Sequence, residues 1–140
     1  MACRVRVRLV KGDRAVETSA LVNSGFETDA PDIVVPVELA KRLGLWPPEE
    51  AAFALLDTGG GELSAPYYES SVELELVLDD RGPKRVLVNV IANPHVHEVL
   101  LSDFVASALG IALLDIKRGL WRLADDPQGK VREAAKPEEW

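Results

Sequence analysis

Ala20-Leu21-Val22-Asn23-Ser24-Gly25-Phe26 joins an apolar run to a sharp polar turn, and Pro36-Val37-Glu38-Leu39-Ala40-Lys41-Arg42-Leu43-Gly44 follows it closely. The first three residues read as the end of a buried strand. Asn, Ser and Gly then supply side chains that bond their own backbone and a residue that tolerates positive φ. Ile33-Val34-Val35 is a short β-branched run. Pro36 at a first helical position, Glu38 near the start, Lys41 and Arg42 near the end and Gly44 beyond it specify a short helix. Strand, turn, short strand and short helix in this order fix the reading of the rest.

Upstream, Val5 to Val10 alternates with Arg4, Arg6 and Arg8. Lys11-Gly12-Asp13-Arg14 is a turn and Ala15 to Val22 a second strand, which together read as an opening hairpin. Downstream, Ala52 to Leu56 runs into Asp57-Thr58-Gly59-Gly60-Gly61-Glu62, read as a mobile hairpin with a glycine-rich tip. Val72, Leu74, Leu76 and Leu78 alternate with acids, and after Asp80-Arg81-Gly82-Pro83 the run Val86 to Ile91 gives a partner strand. Ser102 is placed to cap a second helix over 103–109 that Gly110 ends, and Ile111 to Leu114 and Leu120 to Leu123 flank the turn Lys117-Arg118-Gly119. We expect one mostly β domain with two short helices over residues 1–123, followed by a charged tail over 124–140.

The chain has 140 residues, 47% of them hydrophobic, enough for one core. Its formal charge of -7 argues against nucleic acid as a partner, and the arginines near the start read as the solvated face of a strand. Cys3 is the only cysteine, which excludes an internal disulfide and suits a reducing compartment. No apolar leader opens the chain, and the uncharged stretch over 104–114 is too short to span a bilayer, so a cytoplasmic protein without membrane association is expected. Asn, Gln, Met and Cys are all scarce, as is common in proteins from hot environments.

This order of elements resembles the retropepsin-like aspartic peptidases over about residues 4 to 123. The family's turn reads Asp, then Thr or Ser, then Gly, often followed by Phe in prokaryotic members. Asn23-Ser24-Gly25-Phe26 matches at all but the first position. A second hallmark, a hydrophobic pair, Gly, any residue, Asp or Asn and then a helix, is similar to Val99-Leu100-Leu101-Ser102-Asp103, with Leu101 where Gly is usual. The resemblance implies a closed retropepsin-like β-barrel, and the glycine-rich hairpin would be its flap. It further implies a two-fold homodimer, because each single-lobe chain supplies one member of the catalytic pair. Asn23 would hold the dyad position, with Ser24 bonding across the dimer beneath it and Gly25 completing the turn. Phe26, Glu27, Asp57, Gly59 and Gly60 would line a polypeptide-binding cleft, and no cofactor is implied.

An aspartic dyad works because two close carboxylates share one proton and act as acid and base together. An amide cannot take a proton from water, and loss of a general base costs about 10²–10⁴ in rate. The expectation is therefore an impaired, peptide-binding or vestigial peptidase. Asp57-Thr58-Gly59, after the apolar Ala54-Leu55-Leu56, is a rival catalytic turn; it lies only 44 positions before Leu101 (101 − 57), against 78 for Asn23 (101 − 23). An active endopeptidase, through Asp57 or through an Asp native to position 23, is the alternative reading. A third reading is a non-catalytic barrel that binds metal through His95 and His97. Gly59-Gly60-Gly61 lacks the Lys and Ser or Thr of a phosphate loop. Glu27, Asp29 and Asp32 either contact a substrate backbone or solvate the loop after the turn.

Overall fold

Val5, Val7 and Leu9 are buried while the arginines between them are not, as a strand with one wet face requires. In the computed structural model, which describes residues 2–48, 52–58 and 61–140, this strand is β1 (Arg4–Lys11). It pairs with β2 (Arg14–Val22) through the two-residue turn Gly12-Asp13, where Gly12 takes φ +58° as a tight hairpin demands. Then follow β3 (Asp32–Pro36), α1 (Val37–Arg42), β4 (Ala52–Thr58), β5 (Gly61–Leu76), β6 (Lys84–Asn93), β7 (Val99–Leu101) and α2 (Asp103–Ala108). β8 (Ile111–Asp115), β9 (Leu120–Leu123) and β10 (Arg132–Glu133) form a separate three-stranded sheet.

The main sheet runs β1-β2-β7-β3-β6-β5 and returns to β1 through pairs from Val7 with Leu76 to Val10 with Glu73. Six strands thus close a barrel, which leaves no edge inside the circuit. β4 lies outside it, on the free part of β5. The interior holds Leu9, Ile33, Leu74, Leu76 and Leu101, and it also takes Leu39 of α1 and Val105 of α2. The mostly β class with two short helices is as the residue pattern indicates.

The flap-like hairpin and the following strand are one element rather than two. β5 runs unbroken from the hairpin into the barrel, bent by a bulge between Tyr68 and Val72 where Ser70 takes φ +46° and donates its N–H to Asn89 Oδ1 at 2.8 Å. A bulge of this kind changes strand direction without ending it. Pro36 is the N-cap of α1 instead of its first helical residue, with ψ 150°. Ser102 caps α2 as expected, its Oγ accepting Val105 N–H at 3.3 Å. Ser102→Ala is expected to cost about 1 kcal/mol and to lower Tm by about 3–5 °C in a thermal melt followed by circular dichroism.

Residues 124–140 are charged, but they are held against the body instead of trailing from it. β10 pairs with β9, Ala135 N–H donates to Arg4 O at 2.8 Å, and Glu138 N–H donates to Ser19 Oγ at 2.8 Å. Trp140 closes the segment, its N–H on His97 O at 2.8 Å and its indole N–H on Thr18 Oγ1 at 3.0 Å, with the Arg42 guanidinium 5.2 Å from the ring. The reason lies in β2. Only Ala20 to Val22 of that strand pair with β7, so the fully buried Thr18 and Ser19 hydroxyls meet the C-terminal segment instead of a strand. No helix among the described residues is long and apolar enough to cross a membrane.

Candidate functional site

β2 and β7 run parallel, pairing Ala20 with Val99, Leu21 with Leu100 and Val22 with Leu101. Their ends coincide, so the turn at Asn23 and the start of α2 at Ser102 emerge side by side. Asn23 N–H donates to Leu101 O at 3.2 Å, Asp103 N–H to Phe26 O at 2.9 Å, and Thr28 N–H to Asp103 Oδ1 at 3.0 Å. Ser102 N–H donates to Asp32 O at 3.3 Å, tying β3 to the same junction. Two segments that the sequence marks separately are therefore one structural unit. The Leu101 side chain is wholly buried in the barrel while its carbonyl accepts the Asn23 N–H.

Asn23 is half-buried, and Ser24 and Gly25 are exposed. The Asn23 Oδ1 accepts Gly25 N–H at 3.1 Å and its main-chain oxygen accepts Phe26 N–H at 3.0 Å, so the turn caps itself. The amide nitrogen has no hydrogen-bond partner among the described residues. A carboxylate in the same place could accept the Gly25 N–H equally well, so the turn does not require the amide. What the amide lacks is a proton-accepting oxygen of useful basicity.

The β4–β5 hairpin pairs Ala52 with Tyr67 through Thr58 with Gly61. Gly59 and Gly60, expected at the flap tip, lie outside the described residues. So does the Asp57 side chain, whose backbone stands opposite Glu62. One face of the hairpin carries Leu56, Ala65 and Tyr67. These pack on Val34, Ile91 and Leu100 from the outer wall of the barrel and on Phe26 from the turn. Phe26 thus joins the turn to the apolar floor beneath the hairpin. On the other face Phe53 and Leu55 are 63% and 73% exposed.

Asp32 does not simply solvate the loop after the turn. Its Oδ1 accepts the Tyr67 hydroxyl at 2.9 Å and Asn89 Nδ2 at 2.9 Å, fastening the hairpin strand to β3 and β6. Burial first, and then the Asp32 carboxylate, push the Tyr67 phenol up to about 12, so it stays a donor at any physiological pH. No motif marks Tyr67 or Asn89 in the sequence; only their register opposite Ile91 and Asp32 reveals them. Glu27 and Asp29 are exposed on the loop after the turn. His95 follows a turn in which its N–H donates to Asn93 Oδ1 at 2.8 Å. The described residues contain no group of three or more side chains able to hold a metal ion, so the two histidines gain no third ligand there.

Asp57, the rival catalytic turn in the sequence, stands on β4. β4 pairs with β5 alone among the described strands, whereas the neighbours of β7 are β2 and β3. Surface concavities of 830, 570 and 410 Å³ lie at Trp46 and Tyr68, at Arg4 and Trp121, and at Thr28, Asp103 and Phe104, and Asn23 lines none of the three. No family model and no curated protein matches the chain.

Proposed function

We propose that the chain is a retropepsin-like domain that binds an extended polypeptide beneath the β4–β5 hairpin as a homodimer, with Asn23 standing where hydrolysis needs a carboxylate. The observation that carries this reading is the junction of the Asn23-Phe26 turn with Leu101-Asp103 at the paired ends of β2 and β7, beside the β4–β5 hairpin whose apolar face shares a cluster with Phe26. Each chain holds one such turn. A two-fold axis through two of them would place the two amides together. The pair would donate and accept hydrogen bonds but would share no proton and activate no water. Main-chain pairing with an extended segment would supply affinity, and the apolar floor would supply selectivity. A reducing cytoplasm suits the single thiol, Cys3, which is buried and pushed up to about 11 by that burial.

Because Cys3 is buried, one introduced cysteine reports the axis cleanly. Ser24→Cys is expected to form an intermolecular disulfide readily under mild oxidation, whereas Asp13→Cys, at the other end of β2, is expected to stay monomeric on a non-reducing gel. Equal cross-linking from both positions, or none from either together with monomer-only light scattering at high concentration, contradicts the dimer.

A further inference from the structure

β1 and β5 pair only as far as Val10 with Glu73, and beyond the bulge β5 turns to β4, pairing Tyr67 with Ala52. The two strands part there, and the 830 Å³ concavity opens between the end of β1, the loop after α1 and β5. Bulges often mark such places, because they re-aim side chains that a regular strand would hold in the sheet. Trp46, Pro47, Tyr67 and Tyr68 form its walls, and Lys11 and Glu69 are the charged groups among its described lining residues. The tyrosine rings are fixed: Tyr68 donates its hydroxyl to Leu45 O at 2.6 Å and Tyr67 its own to Asp32 Oδ1 at 2.9 Å. Lys11 and Glu69 are not. Neither side chain has an ion pair or hydrogen bond among the described residues, and the Trp46 indole N–H has no partner there either. Elsewhere charge is matched, as Arg4 is by Glu98, Arg85 by Glu75 and Arg132 by Asp126.

We propose that this concavity binds a small zwitterion, a free amino acid with an aromatic or large apolar side chain, its carboxylate on Lys11, its ammonium on Glu69 and its side chain against Trp46 and Tyr68. Concavities of about 300–1,000 Å³ walled by aromatic rings, with a few polar groups to fix orientation, are the usual form of small-molecule sites. Rings whose hydroxyls are already bonded need little further ordering, and an apolar side chain laid on them gains burial and ring contact. The two charges choose the ligand. An anion alone is repelled by Glu69 and a cation alone by Lys11, while a neutral molecule covers both charges without pairing either. A zwitterion pairs both, each through a charge-assisted hydrogen bond. The Tyr67 phenol, pushed up to about 12 by burial, then by Asp32 and last by Glu69, stays neutral and adds no third charge. This site does not depend on the peptide-binding reading, since Asn23 does not line it.

The test is an NMR titration of the full chain that follows the Trp46 indole N–H signal, assigned through Trp46→Phe. Phenylalanine is expected to shift this signal saturably. Phenylalaninamide and N-acetylphenylalanine each lack one charge, and so stand for the first and last residues of a peptide; both are expected to bind about tenfold more weakly. Lys11→Gln is expected to weaken phenylalanine about tenfold without weakening the amide, which has no carboxylate to lose. Glu69→Gln is expected to weaken phenylalanine as much without weakening the N-acetyl compound. Neither substitution breaks a side-chain bond among the described residues. Glu38→Gln/Lys41→Gln removes the same two charges from α1 and is expected to change nothing. Binding of either derivative as tightly as phenylalanine overturns the zwitterion in favour of a peptide end. No saturable shift with any of the three overturns the site, and an equal loss from the α1 double variant overturns Lys11 and Glu69 as its charged groups.

Discussion

Asp126→Ala is expected to lower the free energy of unfolding by about 3 kcal/mol and Tm by about 10 °C, measured by urea denaturation and calorimetry at pH 7. The Asp126 side chain is 1% exposed and accepts four hydrogen bonds or ion pairs. Its Oδ2 takes Leu123 N–H at 2.8 Å and Arg132 Nε at 2.9 Å, and its Oδ1 takes Arg132 Nη2 at 2.9 Å and Arg81 Nη1 at 3.3 Å. Truncation leaves Arg132, itself 10% exposed, with Asp80 and the Trp121 ring, and leaves the Leu123 N–H without its acceptor. Because the carboxylate sits close under the surface, the loss belongs at the lower end of the range for breaking a buried pair. Arg132, the largest influence, holds the Asp126 carboxyl well below the usual carboxylate range. A depressed carboxyl contributes stability above its unfolded value, near pH 4, and loses it as pH falls through the folded value. The difference between wild type and Asp126→Ala should therefore be full at pH 6 and shrink steadily below pH 4. A difference that grew in acid would contradict the sign.

Removing residues 134–140 is expected to cost a comparable amount, about 3 kcal/mol, read as a lower urea midpoint. Three backbone and side-chain bonds to β2 and to the approach to β7 disappear with the segment: Glu138 N–H to Ser19, Trp140 N–H to His97, and the indole to Thr18. Each contributes about 1 kcal/mol net. Trp140 also packs on the barrel core and under Arg42, worth about 2 kcal/mol of apolar burial. The entropy regained by the freed residues offsets part of this, because fixing each of them in place costs backbone and side-chain freedom. A segment that merely trailed from the domain would be removable without a change in midpoint.

The contrast between these parts of the chain explains what was legible in the sequence. Patterns with a local cause could be read directly. The alternation in β1, the Gly12 turn, the Ser102 cap and the glycines that end both helices follow from steric and hydrogen-bonding rules within a few residues. The parallel registers of β2 with β7 and of β3 with β6 could not be derived that way. Only the resemblance suggested that Asn23 and Ser102 meet. The Asp32, Tyr67 and Asn89 contacts were invisible because their partners lie 35 and 57 residues away and carry no motif. The C-terminal segment misled for a physical reason: its charges read as solvent-seeking, yet Arg132 and Asp126 are matched to each other under cover. Composition reports charge without reporting pairing.

The measurement that bears most directly on the central claim is cleavage of a denatured protein substrate between pH 3 and 6 by three purified proteins: the chain as it stands, Asn23→Asp and Asp57→Ala. Asn23 Oδ1 already accepts the Gly25 N–H, so a carboxylate there can keep the turn, and in the proposed dimer it would place an acid and a base on the axis. The account predicts no cleavage by the unaltered chain or by Asp57→Ala, and pepstatin-sensitive cleavage by Asn23→Asp at least about 10² faster than either. Pepstatin-sensitive cleavage by the unaltered chain that vanishes in Asp57→Ala would contradict it, and so would a folded, dimeric Asn23→Asp protein with no activity at any pH in that range.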